Sequence, residues 1–438
     1  MGRLSIIRRS PGLFNGGNFS GCAQFASNKN IIYGVYGYGS TMRSQKSHQY
    51  KNICVGAAVS MSASASSRSS TFRASSYSFQ NKCNISSRTL GTSARTSSKY
   101  RNHFDLHHEW ILDGKIAKHT VDLDFHSKGT VVFLHGLLGS GKNLRTLAKK
   151  LSQETGISAL LFDLRGHGQS KPNANANASE SANVDMDSLH SIYNCSMDVV
   201  QTLENLNLVG DKSPIGIVGH SFGGRTALSY HHALLQRQEQ TNNNNNANAN
   251  ANANVLPPKH CWILDSCPGK AHASVAGVID AVSSIPMPIG SKQELVTKLR
   301  EKDISKPIAS WMTTNLKKIQ DTNENGSGTH SEGFEFMFDL NVVRGILNDF
   351  PRQDMLQQLQ YCCTAVSTSP SPSPSMIHKV IAGKNQAWTS DVLKVLEDIQ
   401  RKSDGENISL NLVTLDTGHW VHTEDLDGLV RVMVKTFQ

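Results

Sequence analysis

The chain has 438 residues, of which 38% are hydrophobic, and a formal net charge of +9. The first 104 residues hold 14 Lys and Arg and no acid, whereas the remainder is mildly acidic, with 30 basic and 35 acidic residues. A basic folded surface for nucleic acid is therefore not expected, and no apolar run reaches the ~18 residues of a membrane span.

Residues 1–100 are predicted to be a disordered basic arm. They are rich in Ser and Arg, and Leu4, Ile6 and Ile7 lie among arginines near the start. This composition is typical of an organelle transit peptide, with the mitochondrion favoured over the plastid. The alternative is a disordered tail without a targeting role. The eight cysteines of the chain form no CxxC pair, so we expect reduced thiols and neither a disulfide framework nor a zinc site.

From residue 104 to the end, short apolar runs alternate with helical patterns. A leading antiparallel hairpin is predicted at Glu109–Leu112 and His119–Phe125. The strands that follow are predicted at Thr130–Leu134, Ile157–Phe162, Ile215–Val218, Cys261–Leu264, Met376–Ala382 and Ile408–Leu415, and the helices at Asn143–Ser152, around 192–206, and near Phe222–Leu235, Asp391–Ile399 and Leu426–Val434. This alternation indicates a parallel sheet covered by helices on both faces.

Residues 267–360 interrupt the alternation with several helical patterns and no convincing strand. We predict a helical cap over the carboxyl edge of the strands, where open α/β sheets bind ligands. Its aromatic side chains are candidates either for pocket lining or for the core of the cap: Trp311, Phe334, Phe336 and Phe338. Three low-complexity tracts are predicted to be surface loops: Asn173–Ala178, Asn242–Asn254 and Ser367–Ser375.

The segment Gly219-His220-Ser221-Phe222-Gly223 matches the pattern GxSxG. It directly follows a predicted strand and opens a predicted helix, which is the strand–turn–helix context that a nucleophile elbow requires. Glycines flank such a serine because the turn is strained and brings backbone segments close together. Ser221 is therefore the predicted nucleophile. The alternative is an N-capping serine in a glycine-rich turn.

Two backbone amides are predicted to form an oxyanion hole, because acyl transfer needs two donors aimed at the developing charge. The N–H of Phe222 directly follows the nucleophile. The N–H of Leu137 lies in the turn His135-Gly136-Leu137-Leu138-Gly139, where Gly136 lets the chain turn inward. The alternative is that this turn only ends its strand, and His135 itself is expected to be structural.

The segment Gly418-His419-Trp420-Val421-His422 follows the last predicted strand. A base from this loop completes the order nucleophile, acid, base along the chain. His419 lies in the loop and is the predicted base, whereas His422 begins the following helix and is expected to be structural.

The acid is predicted to be Asp265, which ends the strand Cys261–Leu264 at the carboxyl edge of the sheet. The segment Ala382–Gln386, after the penultimate strand, offers no carboxylate, and Asp391 is expected to start a helix. Asn385 cannot supply the negative charge that stabilises an imidazolium. A structural aspartate at 265 is the alternative.

The loop at 163–170 follows the second buried strand of the predicted parallel sheet. Its Asp163 and Arg165 are expected to be structural and to hold this loop in place.

Five segments together resemble the α/β-hydrolase superfamily: HGLLGSGKNL (135–144), FDLRGHGQS (162–170), GHSFGG (219–224), LDSCPG (264–269) and GHWVH (418–422). The nearest group contains mitochondrial α/β-hydrolase-domain proteins, ethanol acetyltransferase-like yeast enzymes and small bacterial esterases. The resemblance covers residues 104–438 and implies the α/β-hydrolase fold, with a helical cap before the penultimate strand. In that group the acid lies at the position matched by Asp265, whereas many members of the wider superfamily carry an Asp near Gln386.

These features predict a serine hydrolase that acts on a small-molecule ester or thioester through an acyl-enzyme at Ser221, without a metal or organic cofactor. One alternative is an acyltransferase in which an alcohol replaces water. Another is a non-catalytic ligand receptor on the same fold. A dehalogenase or epoxide hydrolase is disfavoured, because these enzymes carry an Asp at the position of Ser221.

Overall fold

The computed structural model describes residues 104–117, 128–170, 189–243, 254–269, 273–319, 333–364, 375–406 and 410–438. The predicted arm, the predicted strand His119–Phe125 and the tract Asn173–Ala178 lie outside these ranges, as do most of the tracts Asn242–Asn254 and Ser367–Ser375.

An 8-stranded, mostly parallel sheet organises the described part of the chain. Its strands are β1 (His108–Leu112), β2 (Lys115–Ile116), β3 (Thr130–Leu134), β4 (Ser158–Phe162), β5 (Gly216–His220), β6 (His260–Leu264), β9 (Met376–Ala382) and β10 (Leu410–Leu415), while β7 (Leu316–Lys318) and β8 (Phe334–Phe336) form a separate hairpin. The spatial order is β10-β9-β6-β5-β3-β4-β1-β2. Strands β10 to β4 are parallel, and β1 runs antiparallel to both β4 and β2.

Helices cover both faces of this sheet, as the alternating pattern predicts. The helices of the described residues are α1 (Arg145–Thr155), α2 (Ile192–Asn205), α3 (Phe222–Asn243), α4 (Ala273–Ser283), α5 (Lys292–Arg300), α6 (Lys306–Met312), α7 (Leu340–Asp349), α8 (Met355–Thr364), α9 (Ser390–Glu406), α10 (Val421–Glu424) and α11 (Leu426–Phe437). Along β3, Val132 and Leu134 face the core under α2 and α3, and Val131 and Phe133 face the core under α1 and α11. Both sides of the strand are buried, which explains its continuous apolar run.

The segment between β6 and β9 contains α4 to α8 and the hairpin of β7 and β8. The expectation that this segment has no strand is therefore wrong. Each of the two strands has three residues, which is too short for a period-2 pattern to stand out. The hairpin packs in a separate apolar cluster with α4, α5 and α6.

This segment is fastened to the loop at 163–170. The N–H of Asp339 donates to the carbonyl of Gly166 at 2.7 Å, and His167 and Phe338 form an antiparallel bridge. Leu138, from the turn after β3, belongs to the same apolar cluster as α4 to α6. The predicted cap therefore contacts the turn that carries the candidate oxyanion amide.

Three boundaries differ from the sequence predictions. Among the described residues, β1 pairs on one side with β4 and on the other with β2, a strand of two residues that the sequence does not predict. Helix α1 begins at Arg145, after a 3₁₀ turn at Gly141–Leu144. Helix α3 runs to Asn243, so the tract predicted to be a loop from Asn242 begins inside a helix. None of the described helices is long and apolar enough to cross a membrane.

Candidate active site

Ser221 lies in a tight turn between β5 and α3. Its φ is +54°, a region that non-glycine residues rarely occupy. The flanking glycines are required by close backbone contacts: a Cβ on Gly219 would lie 2.1 Å from the carbonyl oxygen of Gly223, and a Cβ on Gly223 would lie 2.2 Å from that of Leu134. The turn therefore holds a partly exposed serine at the edge of the sheet.

Asp265 occupies the equivalent position on the neighbouring strand. It is the first residue after β6, its φ is +43°, and its side chain is fully buried. A backbone hydrogen bond connects the two turns, because the N–H of Ser221 donates to the carbonyl of Leu264 at 2.9 Å. The N–H of Asp265 in turn donates to the carbonyl of Val380 in β9 at 2.8 Å. The candidate nucleophile and candidate acid thus end adjacent parallel strands.

His419 is brought into direct contact with Asp265 by the loop after β10. Its Nδ1 lies 2.6 Å from Oδ2 of the carboxylate. In the neutral ring, Nδ1 therefore carries the proton and Nε2 is the acceptor, which is the tautomer that a general base for a serine hydroxyl needs.

His220, next to the candidate nucleophile, holds the backbone of His419. Its Nε2 lies 2.9 Å from the carbonyl oxygen of His419, to which only a protonated nitrogen can donate. Burial, followed by the proximity of His422 and His419, holds the pKa of His220 well below its usual range, so its ring is neutral. This contact places the loop of His419 beside Ser221.

His422 does not contact Asp265 in the hydrogen-bond network. It is buried in α10, and its ring packs edge-on against His220 with centroids 4.5 Å apart. Burial, with a smaller contribution from His419, lowers its pKa to about 4. A neutral histidine packed in this way agrees with the structural role expected for it.

The turn after β3 lies against the nucleophile. A Cβ on Gly136 would lie 3.4 Å from Cβ of Ser221. The N–H of Leu138 donates to His167 Nε2 at 3.1 Å. Because the amide of Leu138 already has an acceptor, the amide of Leu137 stays the candidate oxyanion donor of this turn. Phe222 begins α3, where the first amides of a helix have no intrahelical acceptor.

Two buried histidines hold this turn in place through their acceptor nitrogens. His135 Nε2 accepts from the N–H of Leu164 at 2.9 Å, and His167 Nε2 accepts from Leu138. Each ring donates through Nδ1 to a carbonyl, Gly136 at 2.7 Å for His135 and Arg165 at 2.8 Å for His167. Burial lowers the pKa of His135, and it lowers that of His167 to about 3, which keeps both rings neutral.

Asp163 and Arg165 hold the loop at 163–170. The carboxylate of Asp163 accepts from the amides of Gly141 and Gln169 at 2.8 and 3.0 Å. Arg165 forms a fully buried bidentate pair with Asp198, at 2.6 and 2.7 Å. Both side chains therefore support the loop rather than face the nucleophile.

The remaining candidates make no hydrogen bond with Asp265 or His419 in the described part of the chain. Asp391 is exposed in the first turn of α9. Phe336 and Phe338 are buried and stack on each other, with centroids 4.8 Å apart, and Phe334 packs against their cluster. Trp311 instead lies 6.0 Å from Trp420, ring centre to ring centre, next to the candidate base.

Within the described ranges the cysteines are free thiols. In the same ranges, no group of three or more His, Cys, Asp and Glu side chains is arranged to hold a metal ion.

Sequence reasoning missed several side chains that hold this site. The link from His220 to His419 and the link from His167 to Leu138 each join distant loops. Asn385 and Trp388 both donate to Asp265, at 2.6 and 2.5 Å. The only available signal was local: His220 lies inside the GxSxG match, and Asn385 lies where the superfamily often carries an acid.

A protein-family comparison matches residues 129–234 to the family described as alpha/beta hydrolase fold. This range contains the turn after β3, the loop at 163–170 and the nucleophile turn.

Curated relatives match over similarly short segments. An sn-1-specific diacylglycerol lipase ABHD11 of Mus musculus is 39% identical over 98 residues, which cover 22% of this chain and 26% of the relative. A probable alcohol acetyltransferase of Saccharomyces cerevisiae is 33% identical over 98 residues, which cover 22% of this chain and 24% of the relative. A putative esterase/lipase of Haemophilus influenzae is 30% identical over 141 residues, covering 31% and 41%. The matched segments thus span between about a quarter and two fifths of these relatives.

Solved structures are similar over a longer range at low identity. E-2-(acetamidomethylene)succinate hydrolase aligns with a TM-score of 0.46 and 12% identity, covering 70% of this chain and 90% of its own. The thioesterase domain from the curacin biosynthetic pathway aligns with a TM-score of 0.43 and 15% identity, covering 70% and 91%.

Proposed function

We propose that this chain, which belongs to the α/β-hydrolase superfamily and has its fold, is a serine hydrolase of carboxylic esters or thioesters. The observation that supports this most strongly is the 2.6 Å contact between His419 Nδ1 and the buried carboxylate of Asp265. It orients an unprotonated imidazole nitrogen in a loop that His220 holds beside the strained Ser221.

In the proposed reaction, His419 accepts the proton of the Ser221 hydroxyl while the oxygen attacks the acyl carbon. The tetrahedral oxyanion binds to the amides of Leu137 and Phe222. His419 then protonates the leaving alcohol or thiol, and the acyl group stays on Ser221. Water, deprotonated by His419, attacks the acyl carbon; the bond between Ser221 Oγ and the acyl group then breaks, and His419 returns the proton to Oγ as the acid leaves. Asp265 stays ionised throughout and stabilises the imidazolium.

An acyltransferase is the second candidate, because the yeast relative is described as a probable alcohol acetyltransferase. It would use the same acyl-enzyme, with an alcohol attacking in place of water. Products formed from one acyl donor with and without ethanol separate the two candidates: an ethyl ester indicates transfer, and free acid alone indicates hydrolysis.

The first test is labelling with a fluorophosphonate probe, which reacts with an activated serine. We expect labelling of the natural chain and none of Ser221→Ala with an unchanged melting temperature. A chain-length series of acyl esters, acyl-CoA thioesters and a diacylglycerol then identifies the acyl group and leaving group. If the natural chain neither reacts with the probe nor turns over any of these substrates, the proposal is wrong and a ligand receptor on the same fold is favoured.

A further inference from the structure

The carboxylate of Asp265 accepts hydrogen bonds on both oxygens from residues that follow β9. Oδ2, which contacts His419, also accepts from Asn385 Nδ2 at 2.6 Å. Oδ1 accepts from Trp388 Nε1 at 2.5 Å and from the N–H of Ala382 at 3.1 Å. The segment after the penultimate strand supplies no acid, but it supplies the donors that surround one.

Contacts that do not involve His419 hold these donors in place. The Oδ1 of Asn385 accepts from the N–H of Ala387 at 3.1 Å, which directs its Nδ2 toward Asp265. The N–H of Trp388 donates to the carbonyl of Asn385 at 3.2 Å, and the Trp388 side chain is buried in the core under α9. One turn therefore presents both donors.

We propose that Asn385 and Trp388 are positioning residues that fix the rotation of the Asp265 carboxylate toward His419. This inference rests on the proposed function. A carboxylate has a broad torsional preference about its last bond, so its own strand does not choose which oxygen faces the histidine. The hydrogen bonds from Asn385 to Oδ2 and from Trp388 to Oδ1 fix which oxygen faces the histidine. They also compensate the charge of a side chain that is fully buried.

The main test is Asn385→Leu in the full chain, which keeps the branching and the number of heavy atoms of the side chain and removes the donor. We expect kcat/KM to fall about 10- to 100-fold, the effect of losing one hydrogen bond to a charged group, with most of the loss in kcat. Trp388→Phe removes the other donor and keeps a ring, and we expect a loss of about tenfold. The matched control is Gln386→Leu, an exposed residue of the same turn, which should match the natural chain.

The pH–rate profile separates positioning from simple loss of packing. With a donor removed, the carboxylate is less stabilised as an anion and is protonated more easily. Its less compensated charge also makes His419 hold a proton more tightly. Both effects move the acidic limb of kcat/KM to higher pH in Asn385→Leu and Trp388→Phe, and neither occurs in Gln386→Leu.

A second readout does not depend on turnover. Proton NMR of the downfield His419 Nδ1–H resonance should show a shift in Asn385→Leu and Trp388→Phe and none in Gln386→Leu. If the natural chain is labelled by the fluorophosphonate but both variants keep its profile and resonance, the positioning role is refuted while the proposed function stands. If the natural chain is not labelled, the proposed function fails, and the resonance alone decides whether the donors orient Asp265.

Discussion

Ser221 and Asp265 each occupy the first residue after a parallel strand, and each has a positive φ. Strain of this kind persists only where the surrounding structure enforces it. At Ser221 the backbone contacts of Gly219 and Gly223 enforce it. At Asp265 the backbone N–H donates to the carbonyl of Val380, and hydrogen bonds on both carboxylate oxygens hold the side chain. The two residues are thus held by different means in similar turns.

Asp265→Asn is expected to keep the fold and to lower turnover on the order of 10⁴-fold, because it removes the anionic partner of His419 and its correct tautomer. The matched control is Asp391→Asn, since this exposed residue lies in the first turn of α9 and Thr389, not Asp391, accepts the hydrogen bond from the N–H of Val392 at the start of the helix. Ester turnover and melting temperature measure both. If Asp391→Asn loses ester turnover while Asp265→Asn keeps both turnover and melting temperature, the acid is wrongly assigned.

The variants His419→Ala and His422→Ala are expected to show which of the two histidines acts as the base and which has only a structural role. The first should lower turnover by at least about 10⁴-fold with little change in stability, because the proposed general base is lost from a half-exposed loop. The second should leave turnover within about tenfold but lower the melting temperature, because it opens a cavity beside His220. The reverse ranking of the two turnover losses would make His422 the base.

At the scale of elements, the carboxylate of Asp163 stabilises the loop at 163–170 through hydrogen bonds from backbone amides. Burial raises the pKa of Asp163, but hydrogen bonds from His107 and from the amides of Gln169 and Gly141 outweigh this effect and lower the pKa to about 2. Since the folded pKa is below the ordinary 3.8, the ionised form stabilises the fold above about pH 4, and that stability is lost as pH falls toward 2.

Asp163→Asn should therefore lower the free energy of unfolding by about 2 kcal/mol at pH 7 and by roughly half of that at pH 3. Urea denaturation of both proteins at the two pH values measures this. A deficit that stays constant with pH would mean that the variant loses packing rather than the stability of an ionised group.

The buried parallel strands and the tight turn at Ser221 could be predicted because their signals are local. Buried parallel strands have continuous apolar runs, and the glycines around Ser221 follow from contacts within one turn. The strands β2, β7 and β8, with two or three residues, are too short for a periodic signal. The contacts of His220 with His419 and of Asn385 with Asp265 span 199 and 120 residues of sequence, so they depend on how the loops meet across the folded sheet.

For the whole molecule, we propose that the arm at residues 1–100 directs the chain to the mitochondrion and is dispensable for folding. The described part of the chain, from residue 104, contains its own core. Removing residues 1–100 should leave the melting temperature and ester turnover nearly unchanged, and a reporter fused to the arm should enter mitochondria. A reporter that stays in the cytosol would refute the targeting role, and entry into plastids would favour the alternative organelle.

The proposed nucleophile and acid both precede the long segment between β6 and β9, and the backbone bond from Ser221 to Leu264 fixes their spacing within one strand pair. Within that segment, α4 to α6 and the hairpin of β7 and β8 pack mainly in their own apolar cluster, whereas α7 and α8 contribute side chains to the core under α2 and α3. On the proposed function, a chimera that receives a foreign stretch from α4 to β8, and keeps α7 and α8, is expected to select a different acyl group while it keeps the proposed nucleophile, acid and base. In such a lineage, selectivity and chemistry could diversify independently.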